Sequence, residues 1–278
     1  MIAASIEGVT MYSPHLETLH DDLMPIMHQA EKLLLEGYYG AVDISWKSTG
    51  EEWHIVTDVD KRIDTFLRNA LRAQFPHIGL ITEEQDNSGV EEWNWIIDPI
   101  DGTLNFSKKI PLFGISIALW HENQPIYGQI SFPMQRDRYY ALRDRGTYLN
   151  GNRLIGPHKL SKKPYFIFAY HGDNKLLLLN SLIDKLQVFP RSFDSACYEG
   201  CLVAAGRADA AIFCGQAIWD IAALIPLIQE VGREVLFLSP WPDLNASESR
   251  DYRHCLLIGD PSFLPRISPL VRQHSGYC

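Results

Sequence analysis

The chain has 278 residues, of which 46% are hydrophobic and 21% charged, and this composition predicts a folded globular protein with a large core. Its 34 acidic residues outnumber its 25 basic ones, and the basic residues are scattered, so we expect no nucleic-acid partner. No apolar run approaches the ~20 residues of a membrane span and no secretory signal pattern opens the chain, so we expect a cytoplasmic protein without membrane contact.

Apolar residues at intervals of three and four predict a long amphipathic helix over residues 16–37. A second helix should follow Asp60 and stop at Pro76, before a short strand over residues 78–82. Short β-like runs then alternate with turns, which predicts an antiparallel meander ending in a hairpin at Asn150-Gly151. The strands of the meander are predicted over residues 93–97, 113–120, 126–132 and 138–142.

After Pro164 the pattern changes to alternating strands and helices, typical of an α/β arrangement. Pro226 lies inside the last predicted helix and must kink or shorten it. We expect one domain over residues 1–278, with an N-terminal α+β lobe over about 16–150 and a C-terminal α/β lobe over about 151–262. The elements of the second part are predicted over residues 165–169, 175–186, 188–193, 195–205, 208–213 and 220–231.

The five cysteines form no CxxC pair, and their odd number would leave one unpaired in any complete disulfide scheme. We therefore expect reduced thiols throughout. Cys278, at the terminus, is the one expected to be free for an intermolecular bond, although an ordinary tail thiol is the simpler interpretation.

Two carboxylates three residues apart end an apolar strand in the segment WIIDPIDGTLNF, residues 95–106. Pro99 fixes the turn between Asp98 and Asp101, and the glycine and threonine that follow predict a short helix. Such a turn can direct both carboxylates at one point, where hard oxygen ligands suit Mg²⁺ and nearby amides favour an anion. Taken alone, the motif could equally consist of turn and capping residues.

This segment resembles the first signature of the inositol monophosphatase family almost residue for residue. Residues 218–232 resemble the family's second pattern, residues 80–84 its paired glutamates and residues 56–60 its T-x-x-D segment. These four matches occur in the family's order, and the resemblance covers about residues 16–259, so the sequence is identified as a member. The resemblance implies an α/β (α+β) fold, a layered αβαβα sandwich of the inositol monophosphatase and fructose-1,6-bisphosphatase type, usually in a homodimer.

Carried over position by position, the resemblance implies a metal-dependent phosphomonoesterase that uses two or three Mg²⁺ ions. Glu83, Asp98 and the backbone carbonyl of Ile100 would hold a first ion. Asp98, Asp101 and Asp220 would hold a second. Family members also tend to be inhibited by Li⁺.

The resemblance also implies catalytic and substrate-binding roles. Metal-bound water near Glu83 and Thr103 would attack phosphorus in line, with the Thr103 hydroxyl oriented by Asp60. The amides of Gly102 and Thr103 would bind the phosphate, and Asp220 would also contact the substrate.

Several of these residues have a simpler alternative. Asp220 stands where a helix N-cap would stand, and Glu83 with Glu84 could be a solvated acidic pair at a strand end. Asp58 competes with Asp60 for the catalytic position. The ten histidines show no zinc-binding spacing.

Three positions depart from the family pattern without touching the expected ligands or catalytic residues. Thr82 and Leu224 stand where glycines are usual. Phe213 stands seven residues before Asp220, where inositol-specific members place a glutamate that binds substrate hydroxyls. Either inositol phosphate is in doubt as the preferred substrate, or Phe213 is only a buried strand residue that says nothing about the substrate. The candidate substrates are inositol 1-phosphate, fructose 1,6-bisphosphate, histidinol phosphate, NADP and 3′-phosphorylated adenosine nucleotides.

Two rival functions belong to other classes. A regulatory binding protein could keep the scaffold and act through partner contacts, as some bacterial relatives do with the transcription machinery, and a sugar-binding module would need no metal. The complete set of acidic residues favours catalysis over both, because a binding module has no need to hold so many like charges together.

Overall fold

The computed structural model describes residues 5–6, 9–10, 14–49, 52–85, 90–156, 160–172, 174–245 and 252–274; for residues 5–6, 9–10, 46–49 and 52–55 it describes only the backbone. The helices in these ranges are α1 Leu19–Tyr39, α2 Asp58–Gln74, α3 Thr103–Ser107, α4 Lys175–Leu186, α5 Ala196–Ala204, α6 Ile218–Ile221, α7 Leu224–Glu230 and α8 Leu264–His274. None of them combines the length and apolar character that crossing a bilayer requires.

The strands fall into two large sheets and two short hairpins. They are β1 Ser5–Ile6, β2 Val9–Thr10, β3 Ile44–Thr49, β4 Glu52–Thr57, β5 Gly79–Thr82, β6 Trp93–Asp101, β7 Gly114–His121, β8 Gln124–Phe132, β9 Asp137–Leu142, β10 Gly146–Leu149, β11 Asn152–Arg153, β12 Tyr165–Tyr170, β13 Phe189–Arg191, β14 Ala210–Gln216, β15 Glu234–Phe237 and β16 His254–Gly259.

The larger sheet has seven strands in the order β11-β10-β9-β8-β7-β6-β5. Strands β6 to β11 pair antiparallel with their neighbours along the chain, which confirms the predicted meander. Strand β5 pairs with β6 in parallel. The carboxyl ends of β5 and β6 therefore lie at the same edge of the sheet, so the residues that follow them are close together.

The smaller sheet has five strands in the order β13-β12-β14-β16-β15. Strand β12 is parallel to β13 and β14, whereas β16 is antiparallel to both of its neighbours. The strand and helix alternation predicted after Pro164 is confirmed as far as β14. Strands β15 and β16 and helix α8 had not been predicted from the sequence.

Three buried clusters separate five layers of secondary structure. The first fills the space between helices α1 and α2 and one face of the larger sheet. The second joins the other face of that sheet to α5, α6 and α7 and to one face of the smaller sheet, and the third covers the remaining face with α4 and α8. The order helix, sheet, helix, sheet, helix confirms the αβαβα sandwich, while the division into two lobes remains a prediction.

Strand β6 is buried on both faces. Trp95 and Ile97 pack in the cluster with α1 and α2, whereas Ile96 packs with α5, α6 and α7, as expected from the alternation of side chains along a strand. A strand held from both sides has one position and one register, so the residues at its end are fixed in space.

The helix predicted over residues 220–231 is interrupted. Helix α6 ends at Ile221 and α7 begins at Leu224. Pro226 then lies in the first turn of α7, where its missing N–H removes no intrahelical hydrogen bond. The proline therefore acts by shortening the helix, one of the two outcomes expected.

Cys214 of β14 and Cys255 of β16 lie directly opposite each other and form a disulfide, with a Cα–Cα distance of 4.0 Å. The expectation that every cysteine is a reduced thiol is wrong for this pair. Spacing along the chain could not reveal it, because the sheet register brings together residues 41 positions apart. Cys197 and Cys201 are free and buried, and Cys278 lies outside the described residues.

Candidate active site

Asp98 and Asp101 lie at an irregularity near the end of β6. The pairing of β6 with β7 shifts register between them, so Pro99 falls in a bulge, where its nitrogen has no ladder hydrogen bond to make. The Asp98 Oδ1 accepts a hydrogen bond from the Ile100 amide at 3.0 Å. The turn predicted from the sequence is thus a bulge within a strand that continues to Asp101.

Gly102 turns the chain sharply from β6 into α3. Its φ of 83° lies in the left-handed region, and a Cβ atom there would lie 2.8 Å from the backbone oxygen of Leu112. Only glycine fits both constraints without strain. The turn places Thr103 at the start of α3, directly beside the two carboxylates.

The Asp101 carboxylate is held by the start of α5. It accepts hydrogen bonds from the Ser195 hydroxyl and, at 3.1 Å, from the Cys197 amide. Ser195 also accepts a hydrogen bond from the Tyr198 amide at 3.2 Å and so caps α5. The sequence predicted a helix from residue 195, but gave no sign that its first turn would bind Asp101.

Asp220 reaches the same place from α6. Its Oδ2 accepts a hydrogen bond from the Ala217 amide at 2.7 Å. Ala217 is the N-cap of α6 and Asp220 is the third residue of the helix, so the interpretation of Asp220 as the N-cap is wrong, although its side chain does make a capping contact. The residue nevertheless lines the pocket that contains Asp98 and Asp101. The capping contact and a role in the pocket are compatible, because a carboxylate has two oxygens.

Glu83 follows β5 and extends the pairing with β6, since its amide donates to the Ile97 carbonyl at 3.3 Å. It lines the pocket. Its neighbour Glu84 is not among the described residues that line the pocket. The negative charge of Glu84 nevertheless helps to raise the pKa of Asp60. The structure thus separates the two members of the acidic pair.

These segments meet in one pocket with a volume of about 560 Å³. The pocket brings together seven of the eight residues predicted for the site: Glu83, Asp98, Ile100, Asp101, Gly102, Thr103 and Asp220. The eighth, Asp60, is buried and contacts the pocket through Thr103.

The Thr103 hydroxyl lies 3.2 Å from the Asp60 Oδ1 and 2.8 Å from the Ile100 carbonyl oxygen. On its other side, Asp60 accepts hydrogen bonds from the Thr57 amide at 2.7 Å and the Thr57 hydroxyl at 2.5 Å. Asp58, the competing candidate, instead accepts a hydrogen bond from the Asp43 amide. The structure therefore favours Asp60 as the partner of Thr103.

Burial and mutual repulsion raise the pKa values of the pocket carboxyls. Burial raises the pKa of Asp98 well above its usual range, and the charges of Glu83, Asp101 and Asp220 raise it further. Burial also raises the pKa of Asp101 to about 6, although the hydrogen bond from the Ser195 hydroxyl acts to lower it. Burial raises the pKa of Asp220 to about 7. Separate segments have brought like charges together in a buried place, which is unfavourable without a counter-ion.

The donor set suits a hard divalent cation. Every candidate ligand is a carboxylate or carbonyl oxygen, the type that Mg²⁺ prefers, and no lysine or arginine lines the pocket among the described residues. The residues present therefore fit Mg²⁺.

A different acidic group lies far from this pocket. Glu92, His121 and Glu122 bring three ligand atoms within 4.8 Å of one another, the only such group in the described part of the chain. Glu92 precedes Asp98 by six residues, about 20 Å of strand. The His121 Nε2 lies 2.7 Å from Glu92, and its ring stacks on Trp93, so we interpret the group as a surface ion pair.

Phe213 is completely buried and packs in the cluster with α5, α6 and α7. It does not line the pocket. Of the two interpretations left open, a buried strand residue is correct. Among the lining residues that the sequence did not predict, those with polar side chains are His171, Ser192, Asp194, Ser195, Glu199 and Gln216.

Comparison with known proteins gives the same family as the sequence motifs. The sequence profile of the inositol monophosphatase family matches residues 16–274. The histidinol-phosphatase of Chlorobaculum parvum is 34% identical over 218 residues, which cover 75% of this chain and 82% of the relative. Nus factor SuhB of Escherichia coli K12 is 31% identical over 201 residues, covering 69% of this chain and 74% of that protein.

Among solved structures, an IMPase/NADP phosphatase complexed with Mg²⁺ and phosphate superposes with a TM-score of 0.80. The superposition covers 95% of this chain and 98% of the other, at 22% sequence identity. This similarity shows that the two chains share a fold.

Proposed function

Because the chain belongs to the inositol monophosphatase family and is a phosphoric monoester hydrolase, we propose that it hydrolyses small phosphate monoesters in a Mg²⁺-dependent reaction. One observation carries the proposal: carboxylates from four separate segments line a single pocket that no described lysine or arginine lines. Divalent cations would relieve the repulsion among them and would make the pocket attractive to a phosphate.

Glu83, Asp98 and the Ile100 carbonyl would hold one ion, and Asp98, Asp101 and Asp220 a second. The Ile100 oxygen lies 2.8 Å from the Thr103 hydroxyl and has two lone pairs, so it can bind a cation when the Thr103 proton is donated to Asp60. Bound Mg²⁺ would supply the positive charge that stabilises the phosphate oxygens and the charge developing on them.

The chain's own residues would position the attacking water. Burial raises the pKa of Asp60 to about 6, although the hydrogen bonds from Thr57 act to lower it. The carboxyl is therefore mostly ionised above pH 7. It can then accept the Thr103 hydroxyl proton in a hydrogen bond and leave the Thr103 oxygen to accept one from water. The amides of Gly102 and Thr103 would hold the phosphate in place.

The proposal predicts phosphate release that needs Mg²⁺. We would assay phosphate monoesters of polyols, sugars, amino alcohols and nucleotides, with and without Mg²⁺ and Li⁺. Asp98→Asn should lower turnover at least about a hundredfold while the protein stays folded. Asp184→Asn, an equal change at an exposed position of α4, is the matched control. Near-normal turnover in Asp98→Asn would refute the role of Asp98.

A regulatory binding protein is the second candidate, because one relative carries the name Nus factor. This alternative predicts that partner binding survives Asp98→Asn and that the wild type releases no phosphate from any monoester of the panel. The homodimer and the cytoplasmic location implied by the sequence remain predictions. Size-exclusion chromatography with light scattering tests the first of them.

A further inference from the structure

Gln216, the last residue of β14, lines the pocket but has no part in the proposed metal site. Only 6% of the residue is exposed, so an uncharged polar side chain is held almost entirely inside the protein. Burial of an amide is unfavourable unless its donor and acceptor groups find hydrogen-bond partners. The position of this side chain therefore indicates a contact that the fold alone does not supply.

A bulge in β14 turns Gln216 towards the pocket. Side chains alternate along a strand: Phe213 packs with α5, α6 and α7, and Cys214 packs on the opposite face with α4 and α8. Strict alternation would place residue 216 on the same face as Cys214. The register with β16 shifts after Cys214, however, and pairs Gln216 with His254, on the face of β16 that packs with α5, α6 and α7. The extra residue thus moves Gln216 to the face that carries Ala169, which also lines the pocket.

Gly215 makes this bulge possible. Its φ is 87°, and a Cβ atom there would lie 2.9 Å from the Cβ atom of His171 and 3.0 Å from the His171 backbone oxygen. The backbone of His171 is itself fixed, because its amide donates to the Cys214 carbonyl at 2.9 Å. Glycine satisfies both the left-handed conformation and the close approach. The direction of Gln216 is therefore set by the backbone.

The Gln216 amide has no hydrogen-bond partner among the described residues. The polar side chain directly opposite, His254, does not provide one: its ring hydrogen-bonds to the Pro240 backbone, and its Nδ1 has no partner in the described part of the chain. Both amide atoms of Gln216 remain accessible, because the fully enclosed polar atoms without a described partner belong to other residues. The small exposed part of Gln216 thus includes its amide, at the wall of the pocket.

A phosphate monoester offers this amide its phosphate or its alcohol part. The residues proposed to bind the first ion and the phosphate, from Glu83 to Thr103, lie in or directly after strands β5 and β6 of the larger sheet. Gln216 belongs to the smaller sheet, so the part of the substrate that extends away from the phosphate is the part that reaches it. An amide has a donor and an acceptor, as a hydroxyl group does, and the two groups can exchange hydrogen bonds.

We infer that Gln216 is a substrate-binding residue that forms a hydrogen bond with a hydroxyl group on the alcohol part of the phosphate monoester. This inference rests on the proposed phosphatase function and deepens it, because it assigns a contact to the part of the substrate that the metal ions do not hold. The contact favours a substrate whose hydroxyl group reaches Gln216 over one whose alcohol part is apolar.

The test uses two matched series at pH 8 with Mg²⁺: n-alkyl phosphates and ω-hydroxyalkyl phosphates with chains of three to six carbons. The members of a pair have the same carbon chain and the same charge, and they differ by one hydroxyl group. The measured quantity is the ratio of kcat/KM for the hydroxyalkyl phosphate to kcat/KM for the alkyl phosphate. Gln216→Met keeps the length of the side chain but removes the amide, and should lower this ratio about fivefold at the chain length that reaches residue 216. Gln74→Met, an equal change at an exposed position of α2, should leave the ratio unchanged.

Gln216→Asn, which withdraws the amide by one methylene group, should lower the ratio as well and replaces Gln216→Met if thermal unfolding shows that the latter does not fold. If the wild type hydrolyses neither series, the proposed function fails and the inference fails with it. If both series are hydrolysed and the ratio is the same in the wild type and the variants at every chain length, the phosphatase stands and the role of Gln216 is overturned. An equal loss for both series would also overturn it, because that loss comes from the phosphate or from damage to the pocket.

Discussion

Protons and Mg²⁺ should compete for the pocket, and the structure gives the size of the effect. At pH 6 a carboxyl with a pKa of about 7, as for Asp220, is ionised in roughly one molecule in eleven; one with a pKa of about 6, as for Asp101, is ionised in about half. At pH 8 both are ionised. Together these two groups lower the apparent Mg²⁺ affinity at pH 6 by about twentyfold relative to pH 8, and the raised pKa of Asp98 increases the difference.

Isothermal titration of the full chain with Mg²⁺ at pH 6 and pH 8 measures this ratio. In Asp220→Asn the affinity should be lower at both pH values, but the ratio between them should be about tenfold smaller than in the wild type, because the group with a pKa of about 7 is gone. A wild-type affinity that is equal at the two pH values would refute the reasoning.

The same groups set the pH dependence of stability without metal. Their pKa values are raised in the folded chain, so burial of the ionised forms destabilises the protein increasingly as the pH rises from about 4 to about 7. Excess Mg²⁺ should oppose this loss. Thermal unfolding at pH 5 and pH 8, with Mg²⁺ and with EDTA, checks the sign.

Three further substitutions have expected outcomes. Thr103→Val keeps the shape of the side chain but removes its hydroxyl, and should lower kcat about a hundredfold in a phosphate-release assay without altering the fold. Gly102→Ala forces a Cβ against backbone at a left-handed φ, so urea unfolding should show a loss of about 1–3 kcal/mol together with lost activity. Arg68→Met breaks the buried 3.1 Å hydrogen bond to Thr82, just before Glu83, and should cost about 1–3 kcal/mol in the same experiment, whereas exposed Arg72→Met should cost little.

The first motif was readable because its geometry is local. Asp98, Asp101 and Gly102 lie within five residues, and the apolar strand before them had to be buried. A proline between two carboxylates then restricts where they can point. The sequence still mistook a bulge for a turn, because only the register with β7 distinguishes the two.

Other residues of the pocket lining were not readable for the opposite reason. Asp194 joins the lining in a loop whose backbone is held by Asn105, almost ninety residues earlier in the chain. Nothing near Asp194 in the sequence marks it as part of a site. The Cys214–Cys255 pair escaped notice in the same way, since its partners meet only through sheet register.

The contact between Asp101 and the start of α5 has a consequence for assembly. A strand end of one sheet is anchored by the helix layer that supports the other, through hydrogen bonds that join positions 94 and 96 residues apart. The pocket can therefore become complete only late in folding, after strand β6 and helix α5 have packed together. A cation bound at Asp101 would bind the folded protein in preference to partly folded forms, in which the contact between Asp101 and α5 is missing. It would therefore stabilise the folded protein by mass action.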